Sequence, residues 1–189
     1  MKLTIIIASI VTTLVITGTS FASDFDQEQS EQVKIAQLTS TPAAILQQLA
    51  GHSDMNIRAA IASNRAANDS ILQQLALDEE SDVRMALALN INAPVTAKLI
   101  LANDKDENVR LRLAKCGYMF HSVLTILATD PSKHVRRLVA KNHNATDHIL
   151  AMLVNDLDVE VRKNVKKHPL YSAEIIELAS VSTTLYSTN

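Results

Sequence analysis

Residues 68–93 read NDSILQQLALDEESDVRMALALNINA, and the Val83-Arg84 pair near the middle decides the fold. An aliphatic residue followed by Arg also stands at Ile57-Arg58, Val109-Arg110, Val135-Arg136 and Val161-Arg162, always 26 positions apart. Five occurrences without slippage mean that one unit is duplicated along the chain, the mark of a repeat architecture. Within the quoted stretch, Ile71, Leu72, Leu75 and Ala76 fall on one face of a short helix, with Asp69 or Ser70 as its expected cap. Asp78 to Asp82 is an acidic, turn-forming segment in which Asp82 is the expected N-cap. Val83, Ala86, Leu87 and Asn90 then recur at i, i+3, i+4 and i+7 on a second short helix. Helices this short are marginal alone in water, so each unit has to bury its apolar face against its neighbours.

The columns hold on either side of that unit. Ile61, Leu87, Leu113, Val139 and Val165 align as a large aliphatic column, and Ala62, Ala88, Ala114 and Ala140 precede a break to Lys166. In the first helix, Leu49, Leu75, Leu101, Leu127 and Leu153 align, as do Ile45, Ile71, Val123, Ile149 and Ile175. The third unit carries Ala97-Lys98 where the others carry an aliphatic pair, and a shifted helix using Leu99 and Ile100 is the expected compensation. Residues 172–180 supply a first helix without a second, which predicts a cap on the array.

An Asp stands six residues before the Arg in four units, as Asp78/Arg84, Asp104/Arg110, Asp130/Arg136 and Asp156/Arg162, with His52 in that place before Arg58. A fixed Arg and a fixed acid predict a ladder of bidentate pairs between stacked units, because the guanidinium fork matches a carboxylate. Five copies at one structural position argue for stacking rather than for an active-site row.

This pattern of aliphatic pair, Leu-Ala, Asp, Val-Arg, aliphatic-Ala and Asn resembles the variant leucine-rich repeat, a short relative of HEAT-like units. The resemblance covers residues 42 to about 180. It implies an all-α, right-handed α-solenoid of about five short two-helix repeats, in which one helix of a pair can be 3₁₀. The founding member of that family carries a Cys-rich iron–sulfur segment before its repeats. Nothing like it stands here, so no cofactor is expected. Some HEAT-like proteins are enzymes, among them DNA-repair glycosylases and bilin lyases, but those activities require a basic aromatic-lined groove or a pigment pocket.

Outside the repeats, Met1-Lys2, the apolar run Leu3 to Ile16 and the ending Ser20-Phe21-Ala22 have the order of a secretory signal, with cleavage expected after Ala22. The apolar run is shorter than the roughly 20 residues that span a bilayer. Residues 1–22 are therefore expected to be a signal peptide, 23–41 a polar N-terminal arm ending in a short helix, 42–180 the repeat array and 181–189 a loose Ser/Thr tail. Removing Lys2 with the signal makes the formal net charge of −2 one unit more negative, which offers no general attraction to nucleic acid. Cys116 is the sole Cys, so no internal disulfide can form. With 47% hydrophobic residues, 3 Gly, 4 Pro and no Trp, stability has to come from packed helices rather than from turn-rich sheets.

The six His residues show no recognised metal-ligand spacing, and no phosphate loop, nucleophile elbow or carboxylate pair is evident. His134 and His168 fall in columns of polar residues such as Asn56 and Asn142, and Cys116 falls in the column of Asn64, Asn90 and Asn142. More telling are two columns that are neighbours on the second helix. One runs Ala59, Met85, Leu111, Arg137, Lys163 and the other Ser63, Leu89, Lys115, Lys141, Lys167. Together with Lys166 they form a stripe that turns from apolar to basic along the chain, and its members from Met85 and Leu89 onwards are the candidate partner-binding residues. The N-terminal segment opposes them with Asp24, Asp26, Glu28 and Glu31.

The expectation is an exported, periplasmic or secreted, non-catalytic module. It would be monomeric, free of the membrane after cleavage, and would bind a protein with an acidic surface. The alternative function is an assembly factor or inhibitor of an envelope or secreted enzyme; an enzyme or metal carrier on a HEAT-like scaffold is the competing class.

Overall fold

The computed structural model describes residues 21–186, with side chains described for residues 27–180. The signal expected in residues 1–22 lies outside the described residues apart from its last two positions, and the side chains of Asp24 and Asp26 lie outside them as well. Every element among the described residues is helical: α1 (Phe21–Gln37), α2 (Ala43–Leu49), α3 (Met55–Ser63), α4 (Asp69–Leu75), α5 (Ser81–Ala88), α6 (Val95–Ala102), α7 (Glu107–Lys115), α8 (His121–Ala128), α9 (Lys133–Val139), α10 (Asp147–Leu153), α11 (Val159–Lys167) and α12 (Ala173–Tyr186). The all-α class read from the sequence is what the chain adopts, and the helices are α rather than 3₁₀.

Two rows of contacts connect the helices. One runs through α1, α3, α5, α7, α9 and α11, and the other through α4, α6, α8, α10 and α12, so each helix touches its counterpart one unit away. Between the rows lies a continuous core. Ile57, Ile61, Val83, Leu87, Val109, Leu113, Val135, Val139, Val161 and Val165 come from the second helices and are fully buried. Leu46, Leu72, Leu124 and Leu150 face them from the first helices, also fully buried. Fully burying one such side chain stabilises by about 1.5–3 kcal/mol, which offsets the nucleation cost of helices only seven to nine residues long.

Several local expectations are corrected. The polar arm is a 17-residue helix, α1, because it stacks on α3 and takes the place of a second helix ahead of the first full unit. The third unit keeps its register. Ala97 and Lys98 occupy the buried positions, while Ile100 is 37% exposed, so no shifted helix compensates. Stacking on both sides fixes the register, and the methylene stem of Lys98 fills the place of a Leu. Asn68, not Asp69 or Ser70, caps α4 by accepting from the Ile71 N–H, and Asp82 sits inside the first turn of α5. Finally, α12 runs on to Tyr186, past the expected start of the loose tail at residue 181; the side chains from 181 onwards lie outside the described residues.

Candidate binding surface and the ladders beneath it

The Arg column forms its ladder with the acid of the following unit, 20 residues on. Arg58 Nε donates to Asp78 at 2.7 Å and Nη2 to its other oxygen at 3.0 Å. Arg84 repeats this with Asp104 at 2.6 and 2.9 Å, Arg110 with Asp130 at 2.7 and 3.2 Å, and Arg136 with Asp156 at 2.7 and 3.0 Å. The residue six positions before each Arg, His52 in the first unit and an Asp in the others, contributes its main-chain carbonyl. Arg84 Nη1 donates to the carbonyls of Asp78 and Glu79, and Arg110 Nη1 to that of Asp104. Each guanidinium thus clamps its own turn and forks onto the next. The pairs are deeply set, with the Arg84 and Asp104 side chains each 5% exposed. Hydrogen bonding to the paired carboxylate raises the pKa of all four Arg residues. Burial pushes the Asp78 and Asp156 carboxyls up, but the bonds and charges of Arg58 and Arg136, together with main-chain N–H bonds from Glu80 and Asp158, outweigh it and hold both below the usual range.

A second ladder runs along the other edge. Asn64 Nδ2 donates to the carbonyls of Ala36 and Leu38, Asn90 to those of Ala62 and Asn64, and Asn142 to those of Ala114 and Cys116. Each Asn Oδ1 accepts the main-chain N–H two residues on, as from Ala66, Asn92 and Asn144. His168 reproduces the motif: its Nε2 lies 3.1 Å from the Asn142 carbonyl, and Nδ1 accepts from the Leu170 N–H. That pattern requires the Nε2-H tautomer and accounts for a buried His in a column of Asn. Cys116, half-buried, is the one interruption, because a thiol cannot supply the two donors that would reach the Ala88 and Asn90 carbonyls.

The same unit holds Lys98, 1% exposed, with its Nζ 5.6 Å from the centre of the Phe120 ring. Burial lowers the pKa of this ammonium, and the ring face beneath it supplies partial compensation.

The two columns of the expected binding stripe differ in exposure. Leu89 is 50% exposed, and Lys115, Lys141 and Lys167 are exposed. Met85 and Leu111 are half-buried against the core. Arg137 is engaged, donating to both Asp158 oxygens at 2.8 and 2.7 Å, and Lys163 pairs with Glu160 at 2.7 Å. Lys115, Lys141, Lys166 and Lys167 are the stripe cations without an ion pair among the described residues. The loops that follow α5 and α7 add residues that sequence reasoning passed over: Ile91 at 51%, Tyr118 at 83% and Phe120 at 42% exposure. Their signal was available, since two of the six Tyr and Phe residues fall within one three-residue stretch.

Clefts along the opposite edge are lined by ladder residues. One of about 620 Å³ is bounded by Glu107, Arg110, Ser132, Lys133, Arg136 and Asp158. Among the described residues, no group of three His, Cys, Asp or Glu side chains could hold a metal ion, and no helix is long and apolar enough to cross a membrane. Comparisons with protein-family models, with curated proteins and with solved structures found no match.

Proposed function

We propose that the chain is a right-handed α-solenoid of about five 26-residue helix pairs, related to the variant leucine-rich and HEAT-like repeats, that works as an exported, non-catalytic protein-binding scaffold. The observation that carries this reading is the row Leu89, Lys115, Lys141 and Lys167. It offers one exposed side chain per unit at one structural position, beside the exposed Ile91, Tyr118 and Phe120. Aromatic and apolar anchors of this kind dominate binding energy at protein interfaces, and flanking cations steer an acidic partner and raise its association rate. The Arg and Asn ladders support the same reading, because they hold the row rigid without using it.

A photo-crosslinking residue at Tyr118, followed by mass spectrometry of the processed protein, is expected to capture one reproducible acidic protein. The Lys115→Glu, Lys141→Glu double variant should keep wild-type helicity and slow that association at low salt. Capture of no protein, or an unchanged association rate, would refute the assignment.

A further inference from the structure

The ladder has one rung more on the Arg side than on the Asp side. Arg162 is held as its four counterparts are, with Nη1 donating to the main-chain carbonyls of Asp156 and Leu157. Among the described residues no carboxylate meets its Nε and Nη2, although in each earlier unit an Asp 20 residues on takes both. Counted along the sequence, the residue 20 positions after Arg162 is Ser182, and the stretch VSTTLYSTN from residue 181 contains no Asp or Glu. Two neighbours change with it. Ile176 belongs to the column of Leu46, Leu72, Leu124 and Leu150, which are fully buried, yet it is 52% exposed. Lys166 replaces the alanines of a column that is fully buried at Ala62, Ala88, Ala114 and Ala140, and it is exposed. All three departures share one setting: among the described residues, no second helix of a further unit stacks on α11. Glu160 is taken by Lys163, and Glu174 and Glu177 are exposed on α12, so the unpaired charge on α11 itself is positive.

We propose that this face docks an acidic amphipathic helix of another protein, which takes the place that the second helix of a further unit would fill. Its carboxylate occupies the Arg162 fork, its apolar side covers Ile176, and an acid near its middle meets Lys166. The guanidinium is already oriented by its own turn, so the bidentate contact forms without ordering a long side chain. This inference rests on the protein-binding reading above but concerns the end of the array rather than the loop edge, so the two can fail separately.

The probe is a helix-stapled peptide with the sequence of residues 77–90, LDEESDVRMALALN, which carries Asp78 ahead of an amphipathic helix with three further acids. Fluorescence anisotropy against the full chain at low salt is expected to show saturable binding. Asp78→Asn in the peptide should weaken it about tenfold, and Arg162→Lys in the protein should do the same, because Lys keeps the charge and loses the fork. The Lys115→Glu, Lys141→Glu variant should bind the peptide as wild type does. Absence of saturable binding, or equal affinity for the Asp78→Asn peptide, which leaves the protein untouched, overturns the proposal. So does self-association in sedimentation that Arg162→Lys abolishes, since the occupant would then be a second copy of the chain.

Discussion

Cys116 and Lys98 both break their columns, and both stand in the third unit. Replacing Cys116 with Asn should restore the donors that Asn90 and Asn142 supply elsewhere at 2.8–3.0 Å. A satisfied hydrogen bond contributes about 1 kcal/mol, so the variant is expected to be more stable than wild type by at least that much in urea denaturation. Lys98→Met keeps the stem and removes the ammonium. Because burial lowers the folded-state pKa of Lys98, the unfolded chain binds the proton more tightly. Wild-type stability therefore rises with pH between the folded value and the unfolded value of about 10.4. Lys98→Met should be the more stable protein at neutral pH, and its advantage should shrink as the pH approaches 10. A constant gap between the two proteins across that range would refute this account.

At the scale of the helix, capping and clamping separate one unit from the next. Asp54, Asp106, Ser132 and Asp158 each accept main-chain N–H bonds at the start of α3, α7, α9 and α11. Glu80 holds the same place before α5 and makes no such bond, its side chain being one methylene too long. Glu80→Asp is expected to stabilise by about 0.5–1 kcal/mol, measurable as a shift in the denaturation midpoint with an unchanged slope. The ladder predicts an order rather than one value. Arg110→Ala strands Asp130, 5% exposed, without its donor and should cost about 3–5 kcal/mol. Arg162→Ala strands no carboxylate and should cost clearly less. Equal losses from the two variants would mean that the main-chain clamps, not the inter-unit pairs, carry the stability.

For the whole molecule the ladder is also a pH sensor of stability. Asp78 and Asp156 are held below their ordinary values, so the stability they contribute is fully present above about pH 4. It is lost as the pH falls through their folded-state values, because the unfolded chain then binds more protons. Acid titration followed by circular dichroism should show helicity holding at pH 5 and falling below 4. Asp78→Asn should start from lower stability and lose less on further acidification.

The sequence by itself determined the unit. A 26-residue interval between Arg residues, and aliphatic columns at helical spacing, are local facts that the chain carries whatever its neighbours do. They sufficed for the helix pairs, the core positions and the existence of an Arg–Asp ladder. Only the tertiary structure decided which Asp each Arg takes, because residues 6 and 20 apart in sequence become comparable choices once units stack. Stacking also turned the polar segment before residue 38 into a helix by giving its face something to cover. It placed Lys98 inside by holding the third unit in register, and engaged Arg137 with Asp158 rather than leaving it for a partner. The open fork of Arg162 belongs to the same class: whether a guanidinium finds its carboxylate is decided by what stacks beside it, which the residue itself does not carry.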